Sequence, residues 1–218
     1  MNSLLSNPSP THVDGGQLIG LARLARLAFA GEDLGPLKAR LLARLARHEN
    51  DANALMDLST VLQLMGQREL GLSMQALALD LQQLYRLQGS ADPAAIRLLV
   101  FLSPGDLAEN NALEFLLEDA DVTLDLLYLS PAIPFPTTLP DHDLAMVAVC
   151  ETDRTRPLLQ DIETLVKVWP RPVLCAPHRI ARLSRDGACA LLQTAPGISS
   201  TISATSALTL LKPSTGFI

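Results

Sequence analysis

One stretch decides the fold: IRLLVFLSPGD, residues 96–106. It begins as an apolar run and ends in turn-forming residues, which is the pattern of a short strand buried on both faces. Further short strands are predicted at 122–129, 144–150 and 172–175, and helices at 108–118, 158–169 and 178–193. Strands alternating with helices predict a small, mostly parallel three-layer α/β domain over residues 91–205.

Residues 14–90 have the apolar period of helices throughout, and four helices are predicted, the last from about Glu69 to Leu87. Gly31 and Gly66 each separate two of them and lie 35 residues apart. This spacing is close to the helix–turn–helix period of about 34 residues in tetratricopeptide repeats. The second unit resembles that repeat at Leu55, Leu58, Ser59, Leu62, Gly66 and Ala78, and the first matches mainly through its glycine.

Two such units are too few to be stable alone, because repeats bury their faces only by stacking. The helices are therefore expected to lean on the α/β part or on a second copy of the chain. Helical repeats of this kind are binding scaffolds, which indicates a peptide or protein partner and a homodimer. A pure packing role for these helices explains the same pattern equally well. Residues 1–13 are expected to be a flexible N-terminus and residues 206–218 a C-terminal tail.

Composition narrows the class of protein. Apolar residues make up 48% and aromatic residues 4% of the chain, which favours helices and buried parallel strands. No apolar run reaches the roughly 18 residues of a membrane span, and no secretory signal is recognisable. The three cysteines, Cys150, Cys175 and Cys189, have no C-x-x-C spacing and predict buried free thiols. We expect a soluble, cytoplasmic protein.

The formal net charge is −6, but residues 51–150 alone carry fourteen acidic and three basic side chains. This acidic middle disfavours nucleic acid, whose phosphates need a basic face. An acidic surface could bind a basic peptide or support head-to-tail self-association. A solvated helix surface explains the same charges. The basic side chains Arg40, Arg44 and Arg47 form a stripe that could hold an anion or lie in solvent.

Ligands of open α/β sheets bind outside the carboxyl ends of the strands. Three segments are therefore candidates for a ligand site: 105–111, 151–154 and 176–185. They supply the candidate ligand-binding residues Asp106, Glu109, Asn110, Asn111, Glu151, His178, Arg179, Arg182 and Arg185. Arg179 and Arg182 would hold a carboxylate or phosphate. Helix capping and an exposed Arg182–Asp186 pair explain the same residues without a ligand.

The common catalytic and cofactor motifs are missing from the sequence. It contains no G-x-x-x-x-G-K-[ST] phosphate loop, no G-x-G-x-x-G after a strand, no H-E-x-x-H and no G-x-S-x-G. The four histidines are scattered singly, and only nearness in sequence links Cys175 to His178 as nucleophile and base. The sequence predicts no catalytic residue, no cofactor and no metal.

Residues 172–198 carry a family resemblance. They include PVLCAPHRI at 172–180, RLSRD at 182–186 and a Pro-Gly turn at 196–197. This order of strand, turn and helix resembles the pre-ATP-grasp domain of ATP-grasp ligases over roughly residues 94–205. Two departures matter: Cys175 stands where the family's turn has asparagine, and the family's ATP-binding lobes would lie beyond Ile218.

The resemblance implies ATP-dependent carboxylate–amine ligation for a longer relative and not for this polypeptide. We therefore expect a non-catalytic binding or scaffold protein related to the N-terminal part of these ligases. The alternative is the N-terminal fragment of such a ligase, with its catalytic lobes outside this chain. A small independent enzyme that uses the strand-edge crevice ranks third.

Overall fold

The computed structural model describes residues 16–91 and 93–181, together with residues 190, 192 and 193. Seven helices and five strands form within this part of the chain. In chain order they are α1 (Leu21–Phe29), α2 (Gly35–Arg47), α3 (Ala52–Leu64), α4 (Arg68–Leu81), β1 (Leu84–Leu87), β2 (Ile96–Leu102), α5 (Glu114–Leu117), β3 (Val122–Tyr128), β4 (Leu144–Val147), α6 (Arg156–Val166), β5 (Val173–Leu174) and α7 (Pro177–Ile180).

The strands form one sheet in the order β1-β3-β2-β4-β5. β3, β2, β4 and β5 run parallel, and β1 is antiparallel to β3. The register places Leu98 of β2 beside Leu124 of β3 and Leu144 of β4. The expected mixed α/β fold with a mostly parallel sheet is confirmed.

The predicted fourth helix is wrong at its end. α4 stops at Leu81, and residues 84–87 form β1, a strand at the edge of the sheet. Tyr85 is fully buried there, and its hydroxyl donates to the carbonyl of Ala78 at 2.8 Å. The boundary predicted between residues 90 and 91 thus falls between two strands of the same sheet.

Two other predicted helices differ in length. In the predicted helix 108–118, only the short α5 forms, because residues 103–111 instead follow an irregular path that hydrogen-bonds to the end of β4. Of the predicted helix 178–193, α7 lies within the described residues, whereas 182–189 lie outside them.

Helices pack on both faces of the sheet. α3 and α4 place Leu55, Met56 and Leu79 against one face, where Val100 and Leu126 of the sheet are buried. α6 and α7 cover the other face through Leu158, Leu159, Ile162 and Ile180. Of the two expected supports for the helical segment, the α/β part or a second copy, the structure shows the α/β part.

The turns between the first four helices follow ordinary rules of helix ends. Gly31 and Gly66, at the two predicted turns, have φ angles of 76° and 77°, which glycine adopts without strain. Asp51 caps α3 by accepting the N–H of Ala54 at 2.9 Å. α1 and α2 pack on the opposite side of α3 from the sheet, around Leu24, Leu41 and Leu58. α3 is consequently enclosed on most of its circumference.

Candidate functional site

A cavity of about 70 Å³ lies at the carboxyl ends of β2 and β3, between the sheet and the helices. The start of α1, the middle of α3 and the loop 105–113 close it. Its polar lining residues are Asp57, Thr60, Gln63, Gln75, Asp106, Asn110, Asn111, Glu114 and Tyr128, and its apolar ones include Leu18, Leu21, Met56, Leu102 and Leu113. We call it the α3 cavity.

Asp57 lies in the middle of α3 and lines the α3 cavity. Because α3 is enclosed on most sides, the residue is buried. The residue is only 1% exposed. Its carboxyl group accepts the backbone N–H of Ile19 at 2.9 Å and that of Gly20 at 3.2 Å. Asp57 therefore holds the backbone just before α1 against α3.

Glu114 holds the next turn of the same backbone. It begins α5, and its Oε2 accepts the N–H of Ala22 at 3.1 Å. Three N–H groups at the start of α1, those of Ile19, Gly20 and Ala22, are thus divided between two carboxyl groups. Carboxyl groups are favourable here because the N–H groups of a first helical turn have no partner within the helix.

Burial changes the acidity of both carboxyl groups. It raises the pKa of Asp57 to about 6, against the hydrogen bonds from Ile19 and Gly20 that favour the charged form. Burial also raises the pKa of Glu114 to about 7, and the negative charge of Asp57 adds to this rise. The two groups consequently change charge near neutral pH.

Gly20 permits this close arrangement. Its φ angle of 88° suits glycine. A Cβ atom at this position would lie 2.7 Å from Oε2 of Glu114 and 3.0 Å from Cδ2 of Leu87. A larger residue would therefore push Glu114 away from the start of α1.

Two glutamines complete the polar wall. Gln75 braces the loop, since its Nε2 donates to Gly105 O at 3.0 Å and its Oε1 accepts Gly105 N–H at 2.8 Å. Gln63 donates from Nε2 to Ser59 Oγ at 3.2 Å. Its Oε1 is buried, and within the described part of the chain no donor reaches it. Gln63 lines the α3 cavity, and its Oε1 is an acceptor that no described residue satisfies.

Three of the predicted site residues, Asp106, Asn110 and Asn111, line the α3 cavity. Asn110 shapes the loop, because its amide donates to Ser103 O and accepts Ser103 N–H, both at 2.8 Å. Arg68 lies 2.9 Å from Asp106 and lowers the pKa of that carboxyl group.

Glu109, another predicted site residue, does not line the α3 cavity. Its side chain is 8% exposed and pairs through Oε2 with Arg154, while Oε1 is buried and receives no donor from the described residues. A Cβ atom on Gly105 would collide with both partners, so glycine is needed beside this pair. Glu109 and burial together raise the pKa of the Cys150 thiol, burial contributing more.

The other predicted residues that the structure describes lie away from the α3 cavity. Glu151 pairs with Arg156 at 2.6 Å, and His178 lies 3.2 Å from Glu163. Neither these two residues nor the exposed Arg179 lines the α3 cavity. Arg182 and Arg185 lie outside the described residues. The structure thus brings together only the part of the predicted set that follows β2.

Sequence reasoning missed Asp57, Gln63, Gln75 and Glu114. One signal was available for Asp57, which is the single charged residue in the mostly apolar stretch ALMDLSTVL, residues 54–62. A charge in the buried centre of a helix needs partners, and such charges often mark functional sites. No comparable signal distinguishes Glu114, because an acidic residue at a helix start is expected from capping alone.

In the part of the chain that the structure describes, no group of three or more histidine, cysteine, aspartate or glutamate side chains is placed to hold a metal ion. Nor does any helix there have the length and apolarity to cross a bilayer. No family model, no curated protein and no solved structure matches the chain.

Proposed function

We propose that this chain is a non-catalytic binding protein that recognises a basic segment of a peptide or protein, and that the α3 cavity is its recognition site. One observation carries the proposal. Two carboxyl groups, that of the buried Asp57 from the helical segment and that of the partly buried Glu114 from the α/β segment, converge on one cavity at the edge where parallel sheets bind ligands.

The surrounding charge supports a cationic ligand. Both residues belong to the acidic middle of the chain, residues 51–150, which carries eleven more acidic than basic side chains. Such a field attracts positive partners and speeds their encounter. A positive group that reaches the α3 cavity would also relieve the repulsion between Asp57 and Glu114.

Fluorescence anisotropy with a labelled, end-capped peptide of alternating lysine and glycine tests this function. We expect binding, and we expect Asp57→Asn or Glu114→Gln to weaken it by about tenfold or more, because each removes one charge facing the ligand. Asp80→Asn is the matched control, since it removes a carboxylate from the exposed side of α4. The corresponding glutamate–glycine peptide should not bind.

Equal affinity for the lysine and glutamate peptides would contradict the proposal. So would an equal loss of affinity in Asp80→Asn and in the two cavity variants, since general surface charge would then explain binding. Circular dichroism of each variant shows whether the fold is intact, which separates loss of the site from loss of structure.

We also propose that the helical segment is a degenerate tetratricopeptide-like repeat. The matching φ angles of Gly31 and Gly66 support this kinship. So does the tight contact of Gly71 with α3, where an added Cβ atom would lie 2.8 Å from Ser59 O. Small residues at such positions let paired helices approach closely.

The kinship with the pre-ATP-grasp domain is likewise a proposal. Cys175, which stands at the family's asparagine position, has a φ angle of 55°, a conformation that asparagine adopts more readily than most residues. If the chain is instead the first part of a ligase, it should still lack ATP affinity by itself. Micromolar ATP binding in calorimetry would overturn the non-catalytic assignment.

The proposal includes a homodimer that works in the cytoplasm. The exposed apolar residues Leu70, Leu77 and Leu81 on one side of α4 support self-association. Sedimentation velocity at high protein concentration tests it, and a strictly monomeric protein would contradict it.

A further inference from the structure

We infer that the group bound in the α3 cavity is a single primary ammonium, that of a lysine side chain, held between Asp57 and Glu114 with Gln63 Oε1 as a third acceptor. This inference rests on the proposed function and adds the chemical identity of the ligand group. It also requires that binding release protons from the two carboxyl groups.

The hydrogen bonds already made by Asp57 favour ammonium over guanidinium. A guanidinium pairs best with a carboxylate edge whose two oxygens are both available. In Asp57, Oδ1 already accepts from Ile19 and Gly20 at 3.2 Å, and Oδ2 accepts from Ile19 at 2.9 Å. Oδ1 already has two donors, so only Oδ2 has room for a further donor, and a parallel pair does not fit.

The acceptors match the three donors of an ammonium. Asp57 offers one remaining position, and Glu114 engages the start of α1 through Oε2. Gln63 Oε1 is the third acceptor, buried and without a donor from the described residues. Asp57 and Gln63 of α3 and Glu114 at the start of α5 thus all line one cavity, which suits a point charge with rotatable donors.

The size and apolar lining of the α3 cavity suit the end of a lysine side chain. Its volume of about 70 Å³ is roughly half of that known to hold benzene. Leu18, Leu21, Met56 and Leu113 line it beside the oxygens. Lysine buries its methylene stem along such apolar surfaces while its charged end reaches polar partners.

Charges around the two carboxyl groups couple binding to protons. Arg44 of α2 favours ionised Asp57, whereas Asp51 at the start of α3 opposes it. Glu118 opposes ionisation of Glu114, and the hydroxyl of Tyr128 stays neutral because burial raises its pKa. Near neutral pH the carboxyl groups are partly protonated, so an entering ammonium should displace protons.

Isothermal titration calorimetry in buffers of different ionisation enthalpy measures this release. The probe is an end-capped glycine peptide with one central lysine, compared with otherwise identical peptides that contain Nε-acetyl-lysine or arginine. At about pH 6.5 we expect the lysine peptide to release about one proton on binding. We expect at least about tenfold weaker binding of the arginine peptide and no binding of the acetylated one.

The variants separate the inference from the proposed function. Asp57→Asn and Glu114→Gln should each reduce the number of protons released, whereas Asp80→Asn should leave it unchanged. If lysine and arginine peptides bind equally well and release no protons, the ammonium inference is wrong but recognition of basic peptides stands. If neither of them binds to the folded protein, both are wrong.

Discussion

Asp57 and Glu114 connect structure and recognition at the level of single residues. Each carboxyl group accepts backbone N–H groups at the start of α1 and also faces the α3 cavity. Burial of both groups raises their pKa values to about 6 and about 7. The protein therefore keeps two groups whose ionised forms cost stability, which is typical of residues retained for a function.

Stability should consequently rise as the pH falls from about 8.5 to about 5. A carboxyl group with a raised pKa binds more protons in the folded than in the unfolded state, so acid stabilises the fold between the two pKa values. The shifts of Asp57 and Glu114 correspond to a gain of about 2–4 kcal/mol in the free energy of unfolding. Urea unfolding followed by circular dichroism measures it.

The double variant Asp57→Asn/Glu114→Gln is the control for this pH dependence, since it lacks both groups. It should lose most of the gain and be at least as stable as the unchanged protein at about pH 8.5. An unchanged pH dependence in the double variant would show that other groups cause the effect. Such a result would remove the basis for proton release on binding.

At the level of elements, β1 shows where sequence reasoning stops. Leu77, Leu81 and Leu84 continue a helical spacing through the end of α4, so the local pattern gives no sign of a strand. The contacts that make residues 84–87 a strand are distant in sequence. Tyr85 pairs with Leu126 across the sheet, and Arg86 pairs with Asp125.

The strands within residues 96–174 could be predicted because a continuous apolar run favours a strand buried on both faces, and this signal lies in the local sequence. The candidate site was only partly predictable for a related reason. The sequence marks the segment after β2, which supplies Asp106, Asn110 and Asn111. It cannot show that α3 turns Asp57 and Gln63 toward that same segment, because this depends on how the helices dock on the sheet.

Arg86 should be the residue that fixes β1 in the sheet. Its guanidinium lies 2.7 Å from Asp125, which is fully buried. Arg86→Met leaves that buried carboxylate without its partner. Because the Arg86 side chain is itself half-exposed, we expect a loss of about 1–3 kcal/mol in the free energy of unfolding by urea titration.

Arg97→Met is the matched control for Arg86→Met, because the Arg97–Asp143 pair at 3.3 Å is exposed on both sides. It should cost less than about 1 kcal/mol. Combining Arg86→Met with Asp125→Asn should recover part of the lost stability, because no buried charge then remains. Equal losses in Arg86→Met and Arg97→Met would show that the pair with the buried Asp125 does not hold β1.

At the level of the whole molecule, the helical and α/β segments share a hydrophobic core. Leu55 and Leu79 of the helices are buried together with Val100 and Leu126 of the sheet. The sheet also takes β1 from the segment that was predicted to be purely helical. Neither segment can lose its structure without exposing the core of the other.

We therefore expect one cooperative unfolding transition. Trp169, the single tryptophan, packs on Phe101 at the sheet face opposite α3 and α4, so its fluorescence reports that side. Far-UV circular dichroism is dominated by α1–α4. The two signals should change at the same urea concentration. Separate midpoints would mean that the boundary near residue 90 divides two independently stable domains.

The position of β1 also has a consequence for synthesis on the ribosome. Leu84 pairs with Leu127, so the strand leaves the ribosome roughly 40 residues before its partner. At the usual speed of translation its backbone waits about 2–8 s without a neighbour. During this delay Leu84 and Tyr85, together with the exposed leucines of α4, form an apolar nascent segment that can associate with other chains. Chaperones that bind short apolar stretches should therefore engage the growing chain here, after the helices have emerged and before β3 has.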